Sequence, residues 1–570
     1  MAENQVTAAA NQVTALDIMP EWQREEAFPQ LTGAQIDRVA KFASRRSVKA
    51  GEVLVEQGSK EMPFILVLSG GLEVLRCSPQ GAQQVVVHGP GNFFGDMTMM
   101  TSRPSIVTAR MKEAGEVLLM DRKCLQEFVQ NDAELGDIFI RAYIHRRINL
   151  LKAGWGNALL VGSIYSAGTV RIKEFLARIG YPCAYMDLEK DEGAEEFLTK
   201  MNVKASDIPV LFCGKKTVLR NPTNEEVAEC LGINAGIDTV HLRDVVIVGA
   251  GPAGLSSAVY AASEGLEPLM VEMATPGGQA GSSSKIENYL GFPTGISGEH
   301  LTYRAMHQAE KFGVEMMITT KAVKLACVKR PYAVEVDGGR EVTARAVVIA
   351  TGAAYRKLPL TNISDFEGSG IYYWATPMEA QLCQGVPVIV VGGGNSAGQA
   401  AIFLAKKASH VHILIRAEGL ESSMSRYLIR RIENNRERIT VHPNTEVCGL
   451  EGPGKGNLER IRWRNNKTGA EETQEICHLF LMTGARPNTQ WLDGCVAQDK
   501  QGFIKTGPAL TPEDLAAAKW PLARAPYFLE TSLPGVFAVG DVRSGNMKRI
   551  ASAVGEGSVA ISLIHQVLSE

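Results

Sequence analysis

A chain of 570 residues is too long for one domain and divides into about three to five at roughly 100–200 residues each. Its hydrophobic content of 45% lets each domain bury a core, while a charged fraction of 21% and a formal net charge of −3 exclude a dominant basic surface. Nucleic acid is therefore not an expected partner.

The N-terminal MAENQVTAAANQVTALDIM has no basic stretch leading into an apolar one, and no run of about 18 apolar residues stands out. The expectation is a cytoplasmic chain without signal peptide or membrane span. The cysteines, at 77, 124, 183, 213, 230, 327, 383, 448, 477 and 495, form no C-x-x-C pair. That scatter predicts reduced thiols. No Cys/His cluster has zinc-like spacing, so no metal is expected.

Residues 1–28 read as a tail in which NQVTA at 4–8 recurs at 11–15. Residues 29–152 alternate apolar and polar in short runs broken by glycine, as in GEVLVEQGS, PFILVLSGGLEVLRC and QQVVVHGPGNFFG. This pattern predicts an antiparallel β-roll, flanked by helix-periodic segments. Phe94-Gly95-Asp96 followed by Arg103-Pro104-Ser105 makes the segment resemble a cyclic-nucleotide-binding domain. The resemblance implies a cyclic nucleotide held by Gly95, Asp96, Arg103 and Ser105, with Arg103 on the phosphate. Asp96 replaces the family's glutamate on the ribose, and Pro104 removes one backbone N–H beside the phosphate.

Residues 155–232 read as strand, turn, amphipathic helix and strand, and end in SDIPVLFCGKKTVLRNPTNEEVAECLGI. They resemble a glutaredoxin or thioredoxin fold, with Ile208-Pro209-Val210 at the family's cis-proline position. The redox C-x-x-C should follow Tyr165, where Ser166-Ala167-Gly168-Thr169 stands. Thiol–disulfide exchange needs an attacking thiolate and a second, resolving thiol. A docking or spacer role is expected instead, with Cys183 and Cys213 as core residues.

The third segment opens with VVIVGAGPAG, a strand of small and β-branched residues and a glycine turn leading into the helix LSSAVYAASEG. Gly249, Gly251 and Gly254 have the spacing of a dinucleotide turn, with Pro252 and Ala253 between them. The first glycine permits the turn, the second lets a pyrophosphate approach, and the third lets helix and strand pack closely. The helix N-terminus offers N–H groups to phosphate. A second strand ends at Glu272, a carboxylate suited to ribose hydroxyls.

From 243 onward the chain resembles the thioredoxin reductase class of flavoproteins. The motifs are Gly277-Gly278-Gln279, Glu287-Asn288-Tyr289, Thr351-Gly352 and the C-terminal GVFAVGDVRSGNMKRIASAVGEGSVA. The resemblance implies FAD held by the first fingerprint, by Glu272, Gly277, Gly278, Gln279, Asn288, Thr351 and Gly352, by Gly540-Asp541, and by Arg549-Ile550-Ala551 at the flavin's pyrimidine edge.

A second fingerprint, VPVIVVGGGNSAGQAAIFLAKKASHVHILIRAEG, places Gly392, Gly394 and Ala397 at the three small positions, with Asn395 and Ser396 between. An acid at the next strand end would select NADH. Arg416 stands there and, with Arg426, favours NADPH, with NADH as the alternative.

Between the two fingerprints the family carries C-A-T-C-D. Aligned on Ala-Thr, this chain has Trp374 and Pro377 at the cysteine positions and Met378 at the acid. Trp374, Pro377 and Glu379 become flavin-proximal candidates, and no residue is assigned a certain catalytic role.

The expected architecture is multi-domain: the β-roll, an α/β thioredoxin-like domain without C-x-x-C, and a two-Rossmann-like α/β module. An FAD domain spans 243–357 and 486–570, with an NAD(P) domain at 358–485. The expected function is hydride transfer from NAD(P)H to FAD and delivery of electrons to a small redox protein, a quinone or oxygen, in a homodimer as in the family. A second reading is a sensor or scaffold that binds flavin and cyclic nucleotide with little turnover.

Overall fold

The computed structural model describes residues 21–570 except 79–80, 101–102, 153–157, 164–165, 192–197, 199–202, 205–206, 214–216, 284–285, 287–288, 368–369, 374, 376, 454–457 and 493.

Near the N-terminus two four-stranded antiparallel sheets form a β-roll. One runs Ser44–Val48, Gly115–Met120, Phe64–Val67, Phe93–Phe94, and the other Val53–Val55, Thr108–Glu113, Gly71–Ser78, Gly81–His88. Strands Phe64–Val67 and Phe93–Phe94 are buried throughout, and Phe64 and Phe93 pack ring on ring with Phe128 and Phe139 of the flanking helices. Helices Arg122–Asn131 and Ala133–Lys152 close the roll, the first capped by Asp121 accepting the Cys124 N–H.

A small mixed sheet follows, ordered Ala184–Asp187, Ala158–Gly162, Val210–Cys213, Thr217–Arg220, with only the first pair parallel. Helix Ala167–Arg178 packs on it and starts at Ser166, whose hydroxyl caps Thr169 N–H. The Ile208–Pro209 peptide is cis.

The largest sheet is built on Arg243–Val248, buried except at its second residue, with parallel neighbours Pro268–Glu272 and Arg340–Ile349. Glu315–Ile318 extends one side, and Val536–Ala538 joins Arg340–Ile349 from near the chain's end. Helix Pro252–Ser263 is rich in alanine, serine and glycine, so its neighbour approaches to backbone range. That neighbour is Ile550–Ser569: Ser256 Oγ donates to Val554 O at 2.7 Å and Ser257 Oγ to Gly557 O at 3.2 Å.

A second parallel sheet runs Ile371–Tyr372, Leu479–Leu481, Val388–Val391, Val411–Leu414, Ile439–His442. It connects to the first through an antiparallel ribbon, Ala353–Tyr355 with Ala485–Pro487.

One expectation is corrected. Four cysteines are not free thiols: Cys213 is bonded to Cys230 (Cα–Cα 6.3 Å) and Cys327 to Cys495 (5.8 Å). The partners lie 17 and 168 residues apart in sequence, so packing, not local spacing, brings them together. Among the described residues Ile550–Ser569 is long and apolar enough to cross a membrane by length and composition only. Its apolar character has an internal use here, because it packs along Pro252–Ser263.

Candidate functional site

The first glycine turn is a tight one that only glycine allows at two of its positions. Gly249 adopts φ +105°, and a Cβ there would strike the Ala350 carbonyl. A Cβ on Gly254 would strike the carbonyl of Gly249, so only glycine lets the helix start this close to the strand. Gly251 is different: nothing lies within 4 Å of where its Cβ would be. That open side, beneath the first turn of Pro252–Ser263, is where the backbone can receive a phosphate. Pro252 and Ala253 are the first residues of this helix, and proline there costs no hydrogen bond.

Glu272 is buried at the end of its strand. One carboxylate oxygen accepts Ala250 N–H at 2.7 Å and the other Ala274 N–H at 2.8 Å. Burial raises its pKa against the pull of those two bonds. The sequence suggests a ribose ligand, whereas the structure also gives this side chain the task of fixing the turn. Each oxygen keeps a lone pair for a hydroxyl.

Gly277 (φ +110°) donates its N–H to Ala250 O at 2.7 Å, and Gly278 lies over Gly251. Gln279 donates to Ala353 O. Asn288 is outside the described residues. Thr351 and Asn488 clasp each other through side-chain to carbonyl bonds of 2.8 Å in both directions, and Asn488 N–H bonds Gly352 O at 3.1 Å.

Gly540 (φ +73°) packs 2.9 Å from Ala253 by its would-be Cβ, which brings the C-terminal loop onto the first fingerprint. Burial raises the Asp541 pKa. Arg549 occupies the N-cap position of Ile550–Ser569 with no side-chain cap bond, so Ile550 and Ala551 offer N–H groups without an intrahelical partner. Gly277 on Ala250, Gly278 over Gly251 and Gly540 against Ala253 thus bring two further loops onto the first turn.

The second turn repeats the plan. Gly392 has φ +139°, with Met482 O at 2.5 Å from a would-be Cβ, and Gly394 caps Asn395–Leu404, in which Ala397 is buried. Asn395 Oδ1 accepts both N–H and Oγ–H of Ser425, at 2.7 and 2.9 Å. Ser425 is the N-cap of Arg426–Glu433, so this clasp sets Arg426 beside the turn. Ser396, Arg416 and Arg426 are exposed.

Trp374 lies outside the described residues. Pro377 begins the short helix Pro377–Leu382. Glu379 is buried in it, and Cys383, just beyond, is fully buried with its thiol pKa pushed up to about 12 by burial and by Glu379. The sequence missed Tyr355. Its ring stacks on Tyr373 (centroids 5.0 Å, 19°) across the two lobes, and burial, with Asp541 adding, pushes its pKa up to about 12. Tyr372 instead packs on Phe480 of its own sheet.

In the β-roll, Gly95, Asp96 and Ser105 line a partly open cavity of about 50 Å³. Arg103 does not. Its guanidinium faces Glu310 at 3.2 Å and donates to the Ile179 carbonyl at 3.3 Å, away from the residues that line the cavity. The buried carboxylate outside the roll draws it away.

Comparison with known proteins agrees with this geometry. Residues 45–132 match the cyclic nucleotide-binding domain family and residues 243–557 the pyridine nucleotide-disulphide oxidoreductase family. The chain is 35% identical over 324 residues to NADPH-dependent thioredoxin reductase 3 of Arabidopsis thaliana, covering 56% of this chain and 57% of that protein's length. It is 33% identical over 339 residues to thioredoxin reductase of Neurospora crassa, covering 57% of this chain and 93% of that one. The solved thioredoxin reductase of Streptococcus pyogenes superposes with a TM-score of 0.51 at 28% identity, over 57% of this chain and 98% of that one. With a β-roll of the cyclic nucleotide-binding family ahead of it, the two-turn module places this chain in the pyridine nucleotide-disulphide oxidoreductase family, whose members use a flavin and a pyridine nucleotide.

Proposed function

We propose that this chain is an FAD-dependent NAD(P)H oxidoreductase that delivers electrons to an acceptor outside its own chain, without a C-x-x-C relay. The observation that carries this reading is the segment Ile371–Cys383. It has Trp374 and Pro377 at the two thiol positions, and its single cysteine is buried. One thiol cannot form an intramolecular disulfide with itself, and a thiol whose pKa is pushed up to about 12 holds little thiolate.

FAD, when bound, supplies the hydride-accepting and electron-releasing chemistry. The protein's part is binding and orientation. Gly251 and the first turn of Pro252–Ser263 would take the pyrophosphate, Glu272 a ribose, and Gly540-Asp541 the chain between ribose and ring. The free N–H groups of Ile550 and Ala551 would favour electron density at the ring's edge. Gly392–Ala397 would receive the nicotinamide dinucleotide, with Arg416 and Arg426 on a 2′-phosphate. Overall, NAD(P)H, a proton and an oxidised acceptor become NAD(P)⁺ and the two-electron-reduced acceptor. The acceptor is a small redox protein, a quinone or oxygen. The β-roll would modulate this through a cyclic nucleotide, and the assembly is a homodimer.

The test is anaerobic mixing of the FAD-loaded chain with NADPH and with NADH, followed by an acceptor screen that includes oxidised thioredoxin. Bleaching of the oxidised-flavin band by NADPH, with turnover on quinone but not on thioredoxin disulfide, is expected. No bleaching by either nucleotide would favour a flavin-binding sensor, and efficient thioredoxin reduction would overturn the absence of a relay.

A further inference from the structure

We infer that the carboxylate of Glu310 is a built-in anionic occupant of Arg103, and that an anionic ligand of the β-roll binds by displacing it, which couples the roll to the flavin-site loop. This rests on the reading of 45–132 as a ligand-binding roll and of 243–557 as a flavin module.

The pair joins two parts of the molecule and is sealed. Arg103 is 8% exposed and Glu310 2%. Arg103 Nη2 lies 3.2 Å from Glu310 Oε1, while Nη1 donates to Ile179 O. Glu310 Oε2 is held by His307 Nδ1 at 2.6 Å. Although burial alone would raise its pKa, Arg103, His307 and Arg147 together hold it down to about 2, so the carboxylate is charged at any working pH. A buried guanidinium already neutralised by a carboxylate has little attraction left for a second anion.

The other anchor in the roll is diverted the same way. Asp96 accepts Thr98 N–H at 2.9 Å with one oxygen and faces Arg147 Nη1 at 3.3 Å with the other, and Arg147 also donates to Gly180 O. The cavity left inside the roll is about 50 Å³. That is well short of the roughly 300 Å³ or more of an ordinary small-molecule site. A cyclic nucleotide therefore requires this segment to move, and Arg103 can reach its phosphate only by leaving Glu310.

Movement there has somewhere to go. Pro104 abuts Gly232 (3.3 Å to the would-be Cβ), and Ile106 belongs to a core shared with the thioredoxin-like sheet and the flavin lobe. Glu310 sits in helix Gly298–Lys311. Two turns earlier, the same helix places Thr302 Oγ1 within 2.7 Å of a would-be Cβ on Gly277 and 3.3 Å of one on Gly281. One rigid helix thus touches the arginine of the roll at one end and the glycine loop of the flavin site at the other. Coupling requires that each ligand prefer one arrangement of that helix, and it is reciprocal.

The test is calorimetric titration of cAMP and of cGMP into the FAD-loaded full chain, with flavin content and NADPH bleaching measured on the same samples. Glu310→Gln is expected to bind the preferred nucleotide at least tenfold more tightly than wild type, Glu310→Asp to an intermediate degree, and the Arg103→Ala/Glu310→Gln pair to lose the gain. In wild type the nucleotide is expected to change the FAD dissociation rate, and in Glu310→Gln that effect is expected to shrink. Equal affinities in wild type and both Glu310 variants overturn the inference, as does no binding in any variant with normal flavin content. Loss of NADPH bleaching with the tenfold gain intact would indict the oxidoreductase reading instead.

Discussion

The carboxylate of Glu556, buried in the C-terminal helix, accepts the N–H of Gly540 at 2.8 Å, and its other oxygen takes Arg543 and Asn546. One side chain therefore fixes the loop that carries Asp541. Removing it strands the Arg543 guanidinium, so Glu556→Ala is expected to cost about 3–5 kcal/mol. Thermal melts and flavin content check this. Glu556→Gln, which keeps an acceptor, should retain more of both.

Gly251 and Gly254 separate folding from binding. Gly254→Ala forces a Cβ against the Gly249 carbonyl and is expected to lower Tm as well as flavin content. Gly251→Ala meets no protein atom within 4 Å, so the apoprotein should melt like wild type while flavin retention falls. Melting and absorbance on the same preparations distinguish them. An equal loss of Tm in both would refute the phosphate assignment.

Arg416 and Arg426 are exposed beside the second turn. If they hold a 2′-phosphate, Arg416→Ala is expected to raise KM for NADPH about tenfold, or about 1.4 kcal/mol, with kcat and the NADH constants unchanged. Equal effects on both nucleotides would remove the discrimination from this arginine. Charge reversal at Arg426 should act in the same sense and weaken with salt.

Acid is expected to loosen the second lobe. His412 bonds His442 at 3.0 Å, and His410 bonds Thr440 at 2.8 Å beside it. Burial, then His442 and His410, hold His412 down to about 4 from an ordinary 6.5. Unfolded chain takes up that proton near pH 6.5 and folded chain only near 4, so stability present above 6.5 is lost as pH falls through this window. His88, fully buried in the β-roll and held well below 6.5 by burial, acts in the same direction. Tm should decline between pH 7 and 5, and His412→Asn should flatten the decline.

The turns, Glu272 and the second fingerprint were legible in the sequence because they are local: each chemical requirement sits within a few residues of strand and helix. Tyr355 on Tyr373, Asn395 on Ser425 and Glu556 on Gly540 were not. Each joins segments whose adjacency only the packed sheets create, and none of those residue types is distinctive where it stands. Arg103 is the instructive case. Its place in the motif was readable, but the carboxylate that competes for it stands 207 residues later, in a helix with no motif at all.

The union of helix Pro252–Ser263 with Ile550–Ser569 also sets a schedule. Ser257 and Gly557 bond across 300 residues of chain. At ribosomal rates of about 5–20 residues per second, the later helix is made roughly 15–60 s after the earlier one. During that interval the nascent protein carries a finished glycine turn whose small-residue helix has no partner. The flavin pocket is thus among the last parts of this molecule to be completed during synthesis, although its signature is written near the middle.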